Sequence, residues 1–136
     1  MDIDQLIIEL KRDEGLRLLP YRDTVGKLTI GYGRNFDDVG ISIAEANNML
    51  LNDINRVLPQ LDKSMPWWRD LSEARQRVLC NMAFNLGITK LLKFTKTLKM
   101  MQDGNYKQAA EAMRQSLWYR QVGVRAERLA VMMDNG

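Results

Sequence analysis

The sequence predicts an α+β fold, in which a small β-bearing N-terminal lobe leads through a connecting helix into a mainly helical C-terminal lobe. Three observations point there. Apolar residues recur at helical spacing along most of the chain, as in Ile3, Leu6, Ile7 and Leu10 or Val78, Leu79, Met82 and Ala83. One stretch breaks that rhythm: Leu28, Ile30 and Tyr32 alternate with Thr29, Gly31 and Gly33, the period of a strand. No internal repeat or low-complexity tract interrupts the order, which sets aside solenoids and linkers. With 136 residues the chain suits a single domain. Its expected lobes are about 14–41 for the β-bearing part, 42–58 for the connecting helix, and 59–136 with the N-terminal helix 3–13 for the helical part.

Each element has its own signal. The first helix opens with a capping pair, Asp2 and Gln5, and stops at Gly15, because glycine readily takes the backbone that ends a helix. Pro20 then suits an edge strand. Asp23-Thr24-Val25-Gly26-Lys27 reads as a hairpin turn. On the returning strand, period two sets Leu28, Ile30 and Tyr32 on a core face. It sets Thr29 on the other face, beside small glycines. Asn35–Gly40 is a loop. Ser42 and Glu45 form a capping box for a helix expected to end near Leu58, before Pro59. A break follows at Met65-Pro66. Ser72 caps an apolar helix with Ala74, Val78, Leu79, Met82, Ala83 and Leu86, stopped by Gly87. Thr89 or Thr95 opens further helix as far as Gly104. Asn105 caps the next, carrying Ala109, Ala112, Met113 and Leu117, and Gly123 precedes the last.

Composition narrows the chemistry. The chain has no histidine, so proton transfer near neutral pH falls to carboxylates in tuned surroundings, or to Lys, Tyr or Cys. Its single cysteine, Cys80, excludes an intramolecular disulfide and lies in an apolar run, which reads as a buried inert thiol. The net charge of +3 favours polyanions such as nucleic acid, anionic lipid or wall polymer, or simply solubility. No signal peptide or membrane-spanning segment is visible. Asp37-Asp38 lacks companion ligands at calcium-loop spacing, there is no phosphate loop, and no metal or cofactor is expected. Of the adjacent Trp67 and Trp68 one should be partly exposed. Both, with Trp118, read as packing residues before sugar platforms, and the nine methionines read as core filling.

Glu14 ends the first helix, where partial negative charge disfavours an ionised carboxylate and suits a proton donor. Asp23 sits in a turn whose backbone N–H groups can donate to it and keep it ionised. Thr29 can orient a water while donating to Asp23. Two carboxyls driven to opposite protonation states are the minimal equipment for glycosidic cleavage. With 17 acidic residues the spacing alone proves little, and the helix stop, the hairpin and the glycine-lined strand supply the context.

Glu14-Gly-Leu-Arg, Tyr21-Arg-Asp23-Thr-x-Gly and Leu28-Thr29-Ile-Gly-Tyr-Gly33 resemble the tailed-phage lysozyme (endolysin, muramidase) family. Its pattern is Glu, eight residues, Asp or Cys, five residues, Thr. The resemblance continues through Asn81–Gly87, Phe94-Thr95, Trp118-Tyr119 and Arg125–Arg128, covering nearly the whole chain in order. It implies a lysozyme-like two-lobe fold. It also implies cleavage of the β-1,4 bond between N-acetylmuramic acid and N-acetylglucosamine in peptidoglycan, causing host cell lysis. By the same likeness Glu14 is the proton donor, Asp23 the second carboxylate and Thr29 the third active-site residue. An inverting outcome is implied, with carboxyls about 6.5–9.5 Å apart. Asn35, Phe84, Asn85 and Thr97 fall where the family touches sugar, and Arg125 resembles an arginine held against the acid. Arg34 departs from the histidine many relatives carry there, which leaves a structural ion pair in doubt.

The resemblance further implies a monomer with no nucleic-acid partner and no stable membrane association. It would accumulate in the host cytoplasm until the membrane is permeabilised and then act on the wall. Two alternatives stand beside this reading: a lytic transglycosylase on the same polymer, and a non-catalytic basic module binding wall or nucleic acid.

Overall fold

The computed structural model describes residues 1–136. By its contacts the chain forms two compact units, Met1–Met49 and Leu50–Gly136, so the first helix groups with the sheet.

In the first unit, helix α1 spans Ile3–Glu14. The Asp2 carboxylate accepts from Gln5 N–H at 3.0 Å, the expected cap. Gly15, at φ 71°, returns its N–H to Lys11 O. None of its residues is buried. Three short strands follow, β1 (Arg17–Arg22), β2 (Leu28–Gly31) and β3 (Arg34–Asn35), antiparallel in the order β1-β2-β3. Pro20 therefore lies on an edge strand, as its missing N–H requires, and the register is irregular between Arg17 and Tyr21. The β1–β2 turn closes through Asp23 N–H to Lys27 O at 2.9 Å and Gly26 N–H to Asp23 O at 3.0 Å.

The faces of β2 differ from the expected pattern. Thr29 is buried, whereas Leu28 and Ile30 are half-buried and Tyr32 is exposed. Thr29 is the one buried residue of the first unit. A sheet this narrow has too little area to shield large side chains, whereas the small Thr29 lies on the central strand, paired on both sides.

Helix α2 runs from Ile43 to Ser64, straight past Pro59. Proline removes one hydrogen bond from a helix interior at a cost of about 3 kcal/mol. Here Val57 and Leu61, both buried, sit on either side of it, and their burial offsets that cost. The capping box forms as expected: Glu45 N–H donates to Ser42 Oγ at 3.1 Å and Ser42 N–H to Glu45 Oε1 at 2.9 Å.

The second unit holds the core. Past a 3-10 turn at Pro66–Asp70 come α3 (Glu73–Leu86), α4 (Ile88–Leu91), α5 (Thr95–Gln102), α6 (Tyr106–Arg114), α7 (Leu117–Val122) and α8 (Val124–Asn135). Every buried hydrophobic side chain lies between Val57 and Met133. Trp68 and Trp118 are buried and Trp67 is half-buried. Five methionines (Met65, Met82, Met101, Met113 and Met133) fill the interior. Gly87, at φ 82°, ends α3, and Ser72 Oγ accepts from Arg75 N–H at its start. Asn105 precedes α6 but its side chain makes no capping bond. Leu117, expected on that helix, instead opens α7 and is exposed.

Polar groups near this core are matched. Trp68 Nε1 and Arg69 both donate to Asp62 at 2.8 Å, and these bonds, the arginine's first, hold the Asp62 carboxyl below its usual range. Arg75 donates to Met133 O and Asp134 O at the end of α8, where free carbonyls and the helix dipole favour a cation. No helix is long and apolar enough to cross a membrane.

Candidate active site

Glu14 is the last residue of α1 and is exposed. Its carboxylate lies directly on Gly33. A β-carbon on Gly33 would stand 2.5 Å from Glu14 Oε2 and 3.0 Å from Cδ, closer than real β-carbon contacts come. Gly33 also sits at φ 76° in the Tyr32-Gly33 turn between β2 and β3, so the backbone favours glycine there, and a larger residue would have to push the Glu14 carboxylate aside. The sheet's second turn thus forms the floor under the first carboxylate.

Asp23 is half-buried in the β1–β2 turn. Its Oδ1 accepts N–H bonds from Val25 at 3.0 Å and Lys27 at 2.8 Å. These fix the carboxylate's orientation, and no protein donor engages Oδ2. The expected Thr29–Asp23 bond is absent: Thr29 Oγ1 donates to Lys27 O at 2.9 Å. Lys27 O also accepts from Asp23 N–H at 2.9 Å. The Asp23 backbone and the Thr29 side chain are therefore joined through a shared backbone acceptor. The hydroxyl's donor is already used in the fold, and what it can offer a water is a lone pair.

Across the sheet, Thr29 faces Tyr21 on β1 and Asn35 on β3. Asn35 is not a free amide. It donates Nδ2 to Asp38 Oδ2 and accepts from Asp38 N–H, both at 3.0 Å. Asp38 also takes Lys27 Nζ at 3.1 Å, which lowers its carboxyl and raises the lysine. Asp37 Oδ2 accepts from Leu28 N–H at 2.8 Å. Asp37 is thus bonded to the strand that carries Thr29, and Asp38 to the turn that precedes it. Arg34, whose partner was left open, donates to Glu45 Oε1 at 2.9 Å and Gly40 O at 3.0 Å. With Ser42 N–H on the same carboxylate, Glu45 is lowered to about 2, the arginine bond being the largest cause.

Four expected site residues belong to the second unit. Phe84 is exposed and borders a mainly apolar cavity of about 510 Å³ that Arg77, Asn81 and Arg125 also line; no carboxylate lines it. Asn85 Oδ1 accepts from buried Trp118 Nε1 at 2.8 Å, so its carbonyl serves the core and its NH₂ is what remains. Thr97 is buried on the inner side of α5, which withdraws it from a polymer surface. Arg125 spends its hydrogen bonds on Asn81, at 2.7 and 2.9 Å to Oδ1. Cys80 is half-buried rather than buried, and that partial burial pushes its thiol up from the usual value.

Sequence reasoning missed Gly33, Lys27 and Asp37. A glycine after Tyr32 hinted at a turn, but nothing in the string says that a distant glutamate leans on it. An exposed carboxylate beside a glycine and a second one held in the β1–β2 turn thus belong to the same unit. The chain belongs to the phage lysozyme family, whose profile it matches over residues 11–131. It is 33% identical to the pre-baseplate central spike protein Gp5 of Enterobacteria phage T4, over 93% of this chain and 27% of that protein. Against probable T4-type lysozyme 2 of Dictyostelium discoideum it is 27% identical, over 93% of this chain and 92% of that one. An endolysin of Acyrthosiphon pisum secondary endosymbiont phage 1 is 34% identical, over 81% and 76%. Membership places the chain among the peptidoglycan-lysing lysozymes, which are glycoside hydrolases.

Proposed function

We propose that this protein hydrolyses the β-1,4 bond between N-acetylmuramic acid and N-acetylglucosamine with inversion, as an endolysin that releases phage by host cell lysis. Glu14 protonates the glycosidic oxygen. Asp23 activates water at the anomeric carbon, and Thr29 helps to place it. Asn35, Phe84 and Asn85 contact sugar. The observation that carries the reading is the seating of the Glu14 carboxylate on Gly33, in the same unit as an Asp23 pinned by two backbone N–H groups. The family match runs through both compact units, which supports one functional domain over residues 1–136. We further propose a monomer without cofactor, held in the host cytoplasm until the membrane is breached.

Clearing of purified cell walls tests the assignment. Glu14→Gln and Asp23→Ala should each lower the rate by roughly 10²–10⁴-fold, the usual contribution of general acid–base catalysis. Thr29→Ala should lose less than either. Full activity of Glu14→Gln or Asp23→Ala would overturn the assignment. An anhydro sugar at the product end would mark a transglycosylase, and wall binding by wild type without any clearing would mark a binding module.

A further inference from the structure

Between Lys27 and Leu28 lies one peptide unit to which both sides of the hairpin are tied. Its carbonyl, Lys27 O, accepts from Asp23 N–H and from Thr29 Oγ1, both at 2.9 Å. Its N–H, on Leu28, donates to Asp37 Oδ2 at 2.8 Å. A peptide unit is planar, so its C=O and N–H turn together. A group that fixes the N–H therefore fixes where the carbonyl points, and with it the Asp23 backbone N–H and the Thr29 hydroxyl that the carbonyl holds.

We propose that Asp37 is a positioning residue of the reaction, acting on Asp23 and Thr29 through the Lys27–Leu28 peptide plane. This rests on the roles given to those two residues above. Neighbouring contacts make the clamp specific. Lys27 N–H donates to Asp23 Oδ1 at 2.8 Å, so the residue that supplies the carbonyl also grips the carboxylate. Asp38 holds the same lysine by its Nζ at 3.1 Å. Phe36 N–H donates to Leu28 O at 2.8 Å, which brings the loop alongside β2 with Asp37 in reach. Arg22 Nη1 stands 3.7 Å from Asp37 Oδ2 and donates to Gly26 O at 3.2 Å, tying the loop's carboxylate to the far side of the turn. A charge-assisted bond to a backbone N–H is stronger than a neutral one. Without it the peptide is free to rotate, and a small misplacement of a reacting group is costly in rate.

The test uses the full chain with Asp37→Ala and Asp37→Asn. Asparagine keeps an oxygen that can accept from Leu28 N–H, and alanine does not. For Asp37→Ala, kcat on purified walls should fall roughly tenfold to a hundredfold with KM nearly unchanged. The Lys27 amide should exchange with solvent faster in the same variant, since its bond to Asp23 is loosened. Asp37→Asn should restore most of both. Asp37→Ala retaining more than half the wild-type kcat would overturn the proposal. So would an effect on KM alone, which would mean direct contact with substrate, or equal damage in both variants, which would mean that charge rather than the bond to Leu28 matters. Amide exchange at Lys27 is read without substrate. A wild-type protein that clears no wall would thus refute the proposed function while the clamp is still judged on its own.

Discussion

Among single residues, Gly33 makes the sharpest demand on the site. Gly31 and Gly33 share nearly the same left-handed backbone, at φ 70° and 76°, yet a β-carbon on Gly31 would meet nothing within 4 Å. The pair separates backbone strain from the space Glu14 requires. Alanine at either position should cost about 1 kcal/mol of stability, the usual penalty for a β-carbon in that region. Only Gly33→Ala should also displace the carboxylate, lowering wall-clearing activity roughly a hundredfold, while Gly31→Ala stays near wild type. Melting and turbidity measured on both variants check this, and equal activities would show that Glu14 tolerates the intrusion. The string of residues made Glu14 and Asp23 visible, because a helix stop and a turn are local chemistry. Gly33's role was not visible, because it depends on where a side chain nineteen positions earlier comes to rest.

Elements show the same division between local and distant causes. The Ser42–Glu45 capping box could be read directly, since both partners lie within one turn. The Arg34–Glu45 ion pair closes over eleven positions and could not. Pro59 misled for the opposite reason: its local rule was overruled by burial of Val57 and Leu61 on either side. On β2 the alternation was real, but a three-stranded sheet has no layer to bury large side chains, and Thr29 became the covered residue instead. The Arg34 pair has a measurable sign. Glu45 is lowered from 4.5 to about 2, so its stabilising effect is full above about pH 4.5 and is lost as pH falls toward 2. Arg34→Ala should move the Glu45 carboxyl titration upward, toward the ordinary range. Wild type should be the more stable of the two near neutral pH, with the difference vanishing near pH 2. Carboxyl NMR titration and denaturant melts at both pH values test this; a Glu45 titration unchanged by Arg34→Ala would contradict it.

At the level of the whole chain, the three proposed catalytic residues and the apolar core lie in different units. The first unit, Met1–Met49, contains Glu14, Asp23 and Thr29 but no buried apolar side chain. The second holds every one of them, from Val57 to Met133. A stretch this short buries too little surface to be stable through a core of its own. Its order depends instead on hydrogen bonds and ion pairs among Asp23, Lys27, Asp37, Asp38, Arg34 and Glu45, each partly open to water and so weak singly. Local opening free energies follow buried apolar contact. Amides of β1 and β2 should therefore exchange through openings far cheaper than global unfolding. Amides of α3 and α8, which carry Val78, Leu79, Met82, Leu129 and Met133, should exchange only when the whole chain unfolds. Native-state hydrogen exchange across a denaturant series separates the two cases. Sheet amides merging with α3 at low denaturant would be the contrary result, and would mean that the polar network alone holds the β1–β2 hairpin as firmly as the core holds its helices.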